Sequence, residues 1–599
     1  MNKTICENIL SRHAGRSLKA GDTAEIFIDV RAARDFGGAN VVNHLKNHGL
    51  GIAEPARTCF TFDCNSGGSD QKFAANQQFC RMFARERGIR VFDVDRGIGS
   101  HVVMEEHLVS PGDTFVSTDS HANIVGAVGA FGQGMGDQDI AAAFARGFVW
   151  FQVPPTVKIS IKGLPPANTS AKDMILRLLQ HFGPDGLLGR AAEVYGPVTD
   201  SLSLDSRITI ASMATEMGGI ILLFSPNQAI AGYYGHTFPA ADCPAYAGSH
   251  ASYIHDVEID MSVLCPMISL PGHPDHAVPV SEVAGRKIDS AFIGSCTNGR
   301  YEDMKAAAAV LKGRKVAPGV VLKIVPATRQ VWRQCLDDGL IGIFMDAGAL
   351  VGNAGCAGCA AGQIGQNGPG EVTVSTSNRN YPGKQGRGDV YLASPATAAS
   401  SAVAGVIASS DAIPDRPSLF HIQTPPDARP LPPAKRKPLH TTKLTGRIWV
   451  INKDNIDTDL IFHNRYLAVT DRKEMGQYAL DNLEGWRDFS HKAEPGDMIV
   501  TGRNFGAGSS RQQAVDCFIS LGIQAIVARS FGSIYWRNAV NAGLPVLTGD
   551  LLHLKNGEII TIDLKTGLIT CRKSSETCHI QPATEIQMAI FRRGGLLNT

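Results

Sequence analysis

From about residue 23 to about residue 410 the chain alternates short apolar runs with stretches of helical periodicity. Few architectures accept that pattern over such a length, and it predicts α/β layers with largely parallel strands. Ile26–Val30 reads as a strand feeding a helix through Val41, Val42 and Leu45. Cys59–Asp63 reads as a strand ending in an acid, followed by a helix over 71–87 and a strand at Arg90–Val94. Thr114–Ser117 is a further strand, with Asp119, Ser120 and His121 at its carboxyl end, where ligands bind in α/β sheets. A glycine-rich run, 126–136, then enters an alanine-rich helix from about Asp137. Asp137 stands where Gly-x-Gly-x-x-Gly needs its third glycine, which favours close backbone packing over a dinucleotide site. Residues 208–224 read as a helix containing Glu216 that passes into a strand, and the strand 288–293 leads to Cys296 in a turn.

The alternation stops at a segment with eight prolines between Asp411 and His440. Such a segment favours an extended linker. The chain therefore divides into a catalytic region (1–412), a linker (413–443) and a smaller α/β unit (444–599). The cluster Lys435-Arg436-Lys437 is read as solvated charge. With 57 basic against 56 acidic residues, the global balance offers no case for nucleic acid or an anionic membrane as a partner. No apolar stretch reaches the roughly 18 residues of a membrane span, and the N-terminus lacks a signal-peptide core. The 13 cysteines are expected to be reduced thiols in a cytoplasm.

Two of them form Gly355-Cys356-Ala357-Gly358-Cys359, and Cys296 lies upstream in Gly294-Ser295-Cys296-Thr297-Asn298-Gly299. A Cys-x-x-Cys pair alone is compatible with half a zinc site, a redox pair, an iron–sulfur ligand pair or plain burial. No second Cys-x-x-Cys completes a zinc site, and the pair does not open a small redox domain. Three cysteines suit a four-iron cluster with one iron left open, a Lewis acid able to take a substrate hydroxyl.

Acid–base candidates are His101, Asp119, His121 and Glu216, since protonating a leaving hydroxyl needs a positioned acid. Gly508-Ser509-Ser510-Arg511 offers close backbone approach and a bidentate clamp for a carboxylate, or alternatively a serine N-cap for a helix starting at Gln512. Asn378-Arg379-Asn380-Tyr381 supplies a second clamp.

Taken in order, these motifs resemble the aconitase superfamily, and within it the isopropylmalate dehydratase branch with its large and small subunits fused. The matching stretches also include Ser117–His121, Ser377–Asn380 and Asp457-Thr458-Asp459. The resemblance implies an aconitase-like fold, three α/β layers around an iron–sulfur cluster plus a C-terminal swivel domain. It implies a [4Fe-4S] cluster on Cys296, Cys356 and Cys359, and Ser509 as the base. Asp63, His101, Asp119, His121 and Glu216 would surround the leaving hydroxyl. Arg379, Lys384, Ser510 and Arg511 would hold substrate carboxylates. The expected reaction is dehydration and rehydration of a small 2-hydroxy di- or tricarboxylate, first of all an alkylmalate such as 3-isopropylmalate, with no separate small subunit. Aconitate hydratase, a homoaconitase-type activity and a cluster-bearing RNA-binding regulator are the alternatives.

Two departures from the family pattern stand out. Asp63-Cys64 replaces the usual Asp-His, and Lys384 replaces an arginine, with Arg387 as a nearby substitute. Lysine keeps the charge and loses the planar fork. The resemblance implies that substrate choice depends on the loop after the Asp-x-Asp element, here Tyr466–Thr470, which lacks the arginine expected for a substrate with an extra distal carboxylate; Ala468 and Val469 there favour an apolar substituent.

Overall fold

The computed structural model describes residues 2–66, 71–359, 364–415, 417, 441–467, 469–572 and 577–597. Most of the expected linker, with its basic cluster, and Ala468 lie outside the described residues.

Three larger sheets and one two-stranded sheet build the first 410 residues among those described. The first has five parallel strands in the spatial order Arg90–Phe92, Thr58–Thr61, Val30–Arg34, Thr114–Ser117 and Phe131–Gly134. The second has four parallel strands, Ile221–Leu223, Ala191–Tyr195, Thr156–Lys162 and His255–Asp260. The third has seven strands, centred on the parallel set Asp389–Ala393, Val372–Ser375, Ser290–Ile293 and Val321–Ile324. Central strands such as Thr114–Ser117 and Ser290–Ile293 are buried at every position, as expected where helices cover both faces of a parallel sheet. The fold is thus mixed α/β with largely parallel sheets, in agreement with the sequence.

Local differences have local causes. The apolar run at 26–30 is split into Thr23–Phe27, which pairs with Phe148–Gln152, and Val30–Arg34 in the five-stranded sheet. Asp29 divides them, its carboxylate accepting from the Thr114 N–H at 2.9 Å and lying 2.6 Å from His13 Nε2. Glu216 is not inside a long helix. The helix ends at Ala211, and Glu216 sits in the short turn Thr215–Met217, closed by Gly218 at φ 73°. Cys296 lies in a single helical turn, Ser295–Asn298, entered through Gly294 at φ 154°. The glycine-rich run serves packing: a Cβ on Gly134 would lie 2.4 Å from the Asp119 carbonyl oxygen.

The C-terminal unit is a seven-stranded sheet. Val546–Thr548, Ala525–Ala528, Met498–Thr501 and Lys443–Ile451 run parallel, and three antiparallel strands extend it. Its helix Ser533–Asn541 packs on the helix Asp137–Arg146 of the body. There Arg537 pairs with Asp139 at 3.1 Å, Asn541 donates to Asp139 at 2.7 Å, and the guanidinium lies 3.9 Å from the Trp150 ring centroid. Among the described residues no helix is long and apolar enough to cross a membrane.

Candidate active site

Loops at the carboxyl ends of strands in two sheets of the body meet loops of the C-terminal unit at one cavity. The five-stranded sheet brings Arg34, Cys64, Ser120 and His121. The seven-stranded sheet of the body brings Cys356, Cys359, Arg379 and Lys384, and the C-terminal unit brings Leu467 and Ser509-Ser510-Arg511. Cys296 lies beside it, its Sγ donating to Asn378 Oδ1 at 3.1 Å and interacting with the His121 ring. The Cys359 N–H donates to the Cys356 carbonyl at 3.3 Å, which keeps the two thiols close enough to interact, and the Cys356 N–H donates to the Asp63 carbonyl at 2.9 Å.

Ion pairs set the charge around the cavity. Arg379 Nε lies 2.7 Å from Glu216 Oε1, and His121 Nε2 lies 3.1 Å from the same oxygen. Arg379 also donates from Nη1 to Ser509 Oγ. Arg511 pairs with Asp459 at 2.7 Å, and Lys384 stands 3.6 Å from the same carboxylate. Arg34 donates from Nε to Asp63 at 2.7 Å and from Nη1 to Asp119 at 2.9 Å.

These environments sort the titratable groups. Burial lowers the His121 pKa, but Cys296 and Glu216 more than offset it and raise the pKa to about 10. His101 is the opposite case. It does not line the cavity; its Nε2 is 3.0 Å from the Cys296 carbonyl, and burial with Arg300 nearby lowers its pKa to about 3. Burial, against the pull of Arg34, raises Asp63 to about 6. For Asp119 burial is overcome by Arg34 and His121, and for Glu216 by Arg379 and His121, so both are held below the usual range.

The donor set fits an iron–sulfur cluster. Three buried thiols stand together with a cationic lining that offsets thiolate charge. Arg34 Nη2, Arg379 Nη2 and Ser510 Oγ are buried without hydrogen-bond partners, the mark of a site that awaits a polar occupant. Ligand atoms of Asp35, Asp63 and Cys64 also lie within 4.8 Å of one another, but Arg34, Gln77 and backbone N–H groups already occupy those carboxylates.

Of the residues singled out from sequence, the three cysteines, His121, Arg379, Lys384, Ser509, Ser510 and Arg511 gather here. Asp63, Asp119 and Glu216 stand directly behind the lining as partners of Arg34 and Arg379. Several expectations are corrected. Ser509 and Ser510 cap no helix, because the helix Gln513–Ser520 begins later and Gln512 is its N-cap. Arg387 is exposed and does not replace Lys384. Val469 packs into the C-terminal core, and it is Leu467 that lines the cavity. Sequence reading missed Arg34 and Phe36, and it singled out the loop Tyr466–Thr470 without choosing Leu467 within it. Arg34 ends the strand Val30–Arg34 at the carboxyl edge of the five-stranded sheet, beyond the apolar run 26–30 that is visible in the sequence.

Comparison with known proteins follows the same outline. The family described as aconitase (aconitate hydratase) matches residues 7–286 and 281–405, and the aconitase C-terminal domain matches 448–549. The 3-isopropylmalate dehydratase large subunit 1 of Methanopyrus kandleri is 40% identical over 68% of this chain and 98% of its own length. The homoaconitase large subunit of Thermus thermophilus is 38% identical over 68% of this chain and 97% of its own length. Among solved structures, a 3-isopropylmalate dehydratase of Methanocaldococcus jannaschii is 35% identical, covering 26% of this chain and 92% of that one, with a TM-score of 0.25.

Proposed function

Since the chain belongs to the aconitase family and is a hydro-lyase of that family, we propose that it dehydrates and rehydrates a small 2-hydroxy di- or tricarboxylate with the help of a [4Fe-4S] cluster. An alkylmalate such as 3-isopropylmalate is the first candidate. The observation that carries this reading is the cavity in which Cys356, Cys359, His121, Arg379, Lys384, Ser509 and Arg511 converge.

Cys296, Cys356 and Cys359 would hold the cluster. When bound, it supplies a Lewis acid for the departing hydroxyl. Arg511 and Lys384 share the Asp459 carboxylate and present two cations side by side, suited to a substrate carboxylate. The Ser510 hydroxyl, free of partners, adds a donor there. Ser509 Oγ accepts from Arg379, and that cation stabilises the alkoxide character a base needs. Ser509 takes the proton from the carbon beside the carboxylate, and the electron pair forms the double bond. The hydroxyl leaves with the C–O electrons and takes a proton from His121, which Glu216 orients. The proton gained by Ser509 and the one given up by His121 balance over the cycle. Phe36, Cys64 and Leu467 give the cavity an apolar wall, which supports an alkyl substituent.

The test is a substrate panel on anaerobically reconstituted protein. Alkylmalates, citrate, homocitrate and their dehydrated acids are followed at the ultraviolet absorption of the conjugated alkene. Turnover of an alkylmalate is expected. No turnover of any member by cluster-loaded protein would contradict the reading.

A further inference from the structure

One cation of the cavity has no task in that scheme. Arg34 is buried, lines the cavity, and lies with its guanidinium carbon 5.3 Å from the Phe36 ring centroid. Two edges of the guanidinium are spent on Asp63 and Asp119, and Nη2 remains buried with no partner. A buried orphan donor of this kind is costly unless an occupant accepts from it.

Charge decides which occupant. Arg34 stands between two carboxylates, and Asp35 lies close behind with its ligand oxygen within 4.8 Å of those of Asp63 and Cys64. This wall is therefore not net positive, even with one carboxylate protonated. Lys384 and Arg511 at the other end share a single paired carboxylate, Asp459; Asp457 lies nearby with one oxygen unpartnered. A substrate carboxylate is thus drawn to the Arg511 end and gains little at Arg34. A neutral oxygen acceptor suffers no repulsion at Arg34. Of the other polar groups that the same five-stranded sheet brings, the Cys64 thiol is a weak donor aimed at Asp63 at 3.5 Å, and His121 is held by Glu216 at 3.1 Å.

Building on the hydro-lyase reading, we propose that Arg34 is a catalytic residue that grips the substrate's leaving hydroxyl: Nη2 donates a hydrogen bond to that oxygen while Nε and Nη1 hold Asp63 and Asp119 around it. The substrate then lies with its carboxylate toward Arg511 and its hydroxyl toward Arg34. The contact exists with the hydroxy acid and is absent with the dehydrated acid, which has lost that oxygen.

The experiment measures binding of 3-isopropylmalate and of its dehydrated acid, 2-isopropylmaleate, to the reconstituted full chain carrying Ser509→Ala, which blocks interconversion. Adding Arg34→Gln is expected to weaken the hydroxy acid about tenfold and leave the dehydrated acid within about twofold, the cost of one hydrogen bond from a charged group. Arg34→Lys, which keeps the charge, is measured alongside, with iron content as the check on folding; it is expected to weaken the hydroxy acid less than Arg34→Gln. Equal weakening of both acids would make Arg34 a carboxylate anchor or a structural residue and overturn the proposal. No weakening of either would do the same. Failure of both acids to bind the Ser509→Ala parent would instead sink the substrate reading, and the proposal with it.

Discussion

Arg379 and Ser509, 130 residues apart in sequence, are joined by a hydrogen bond from Nη1 to Oγ that crosses from the body to the C-terminal unit. The base of the proposed reaction is therefore completed only when the two parts of the chain are docked. Ser509→Ala is expected to lower kcat by about a thousandfold, the scale of removing a group that acts in the transition state. The iron content and the thermal midpoint should stay close to wild type. A kcat within tenfold of wild type would remove Ser509 from the chemistry.

Arg379 also carries a structural load. It is fully buried and paired with Glu216 at 2.7 Å. Removing Arg379 leaves Glu216 with His121 as its remaining cationic partner, a partial loss of a buried charge network that costs about 3 kcal/mol. Arg379→Met is expected to lose that much in urea unfolding, whereas the double variant with Glu216→Gln should recover a good part of it.

Gly508 gives a prediction of a different kind. Its φ is 91°, and an added Cβ would lie 2.0 Å from Asp457 Oδ2. Gly508→Ala must displace either the loop that carries Ser509 and Ser510 or Asp457 itself. We expect kcat to fall by at least about tenfold, because small misplacements of reacting groups cost rate steeply. Steady-state kinetics on protein with normal iron content would check it.

Much of this site was legible in the sequence, for reasons specific to the residues. Cys296, Cys356 and Cys359 stand in glycine-bounded turns, and Ser509, Ser510 and Arg511 follow a glycine with positive φ, so local pattern marks them. The strand at Thr114–Ser117 and the helix from Asp137 were bounded correctly because their capping and turn residues are local. Arg34 was not legible, and Leu467 was legible only as a member of the loop Tyr466–Thr470. Each owes its place to tertiary contact: Arg34 to two carboxylates 29 and 85 residues away, and Leu467 to the docking of the C-terminal unit against the cysteine loops. Glu216 was found but misplaced, because Gly218 ends its turn where helical periodicity alone would continue.

The seam between the two parts carries a pH response. Burial raises the Asp137 pKa to about 7, against a hydrogen bond from Asn40 at 2.8 Å. A carboxyl raised on folding contributes stability that is full below its unfolded value near 4 and is lost as pH climbs through 7. Wild type should therefore lose stability relative to Asp137→Asn between pH 4 and pH 8, by on the order of 3–4 kcal/mol. Unfolding midpoints across that range would read the difference, and parallel curves for the two proteins would contradict it.

The proposed hydration chemistry rests on an iron–sulfur cluster held by Cys296, Cys356 and Cys359. Its most direct test is the iron and sulfide content of anaerobically reconstituted wild type and Cys356→Ser, measured together with hydration of the unsaturated acid. About four irons per chain, with broad visible absorption, are expected in wild type, and loss of both cluster and activity in the variant. Iron content and activity unchanged by Cys356→Ser would contradict the account.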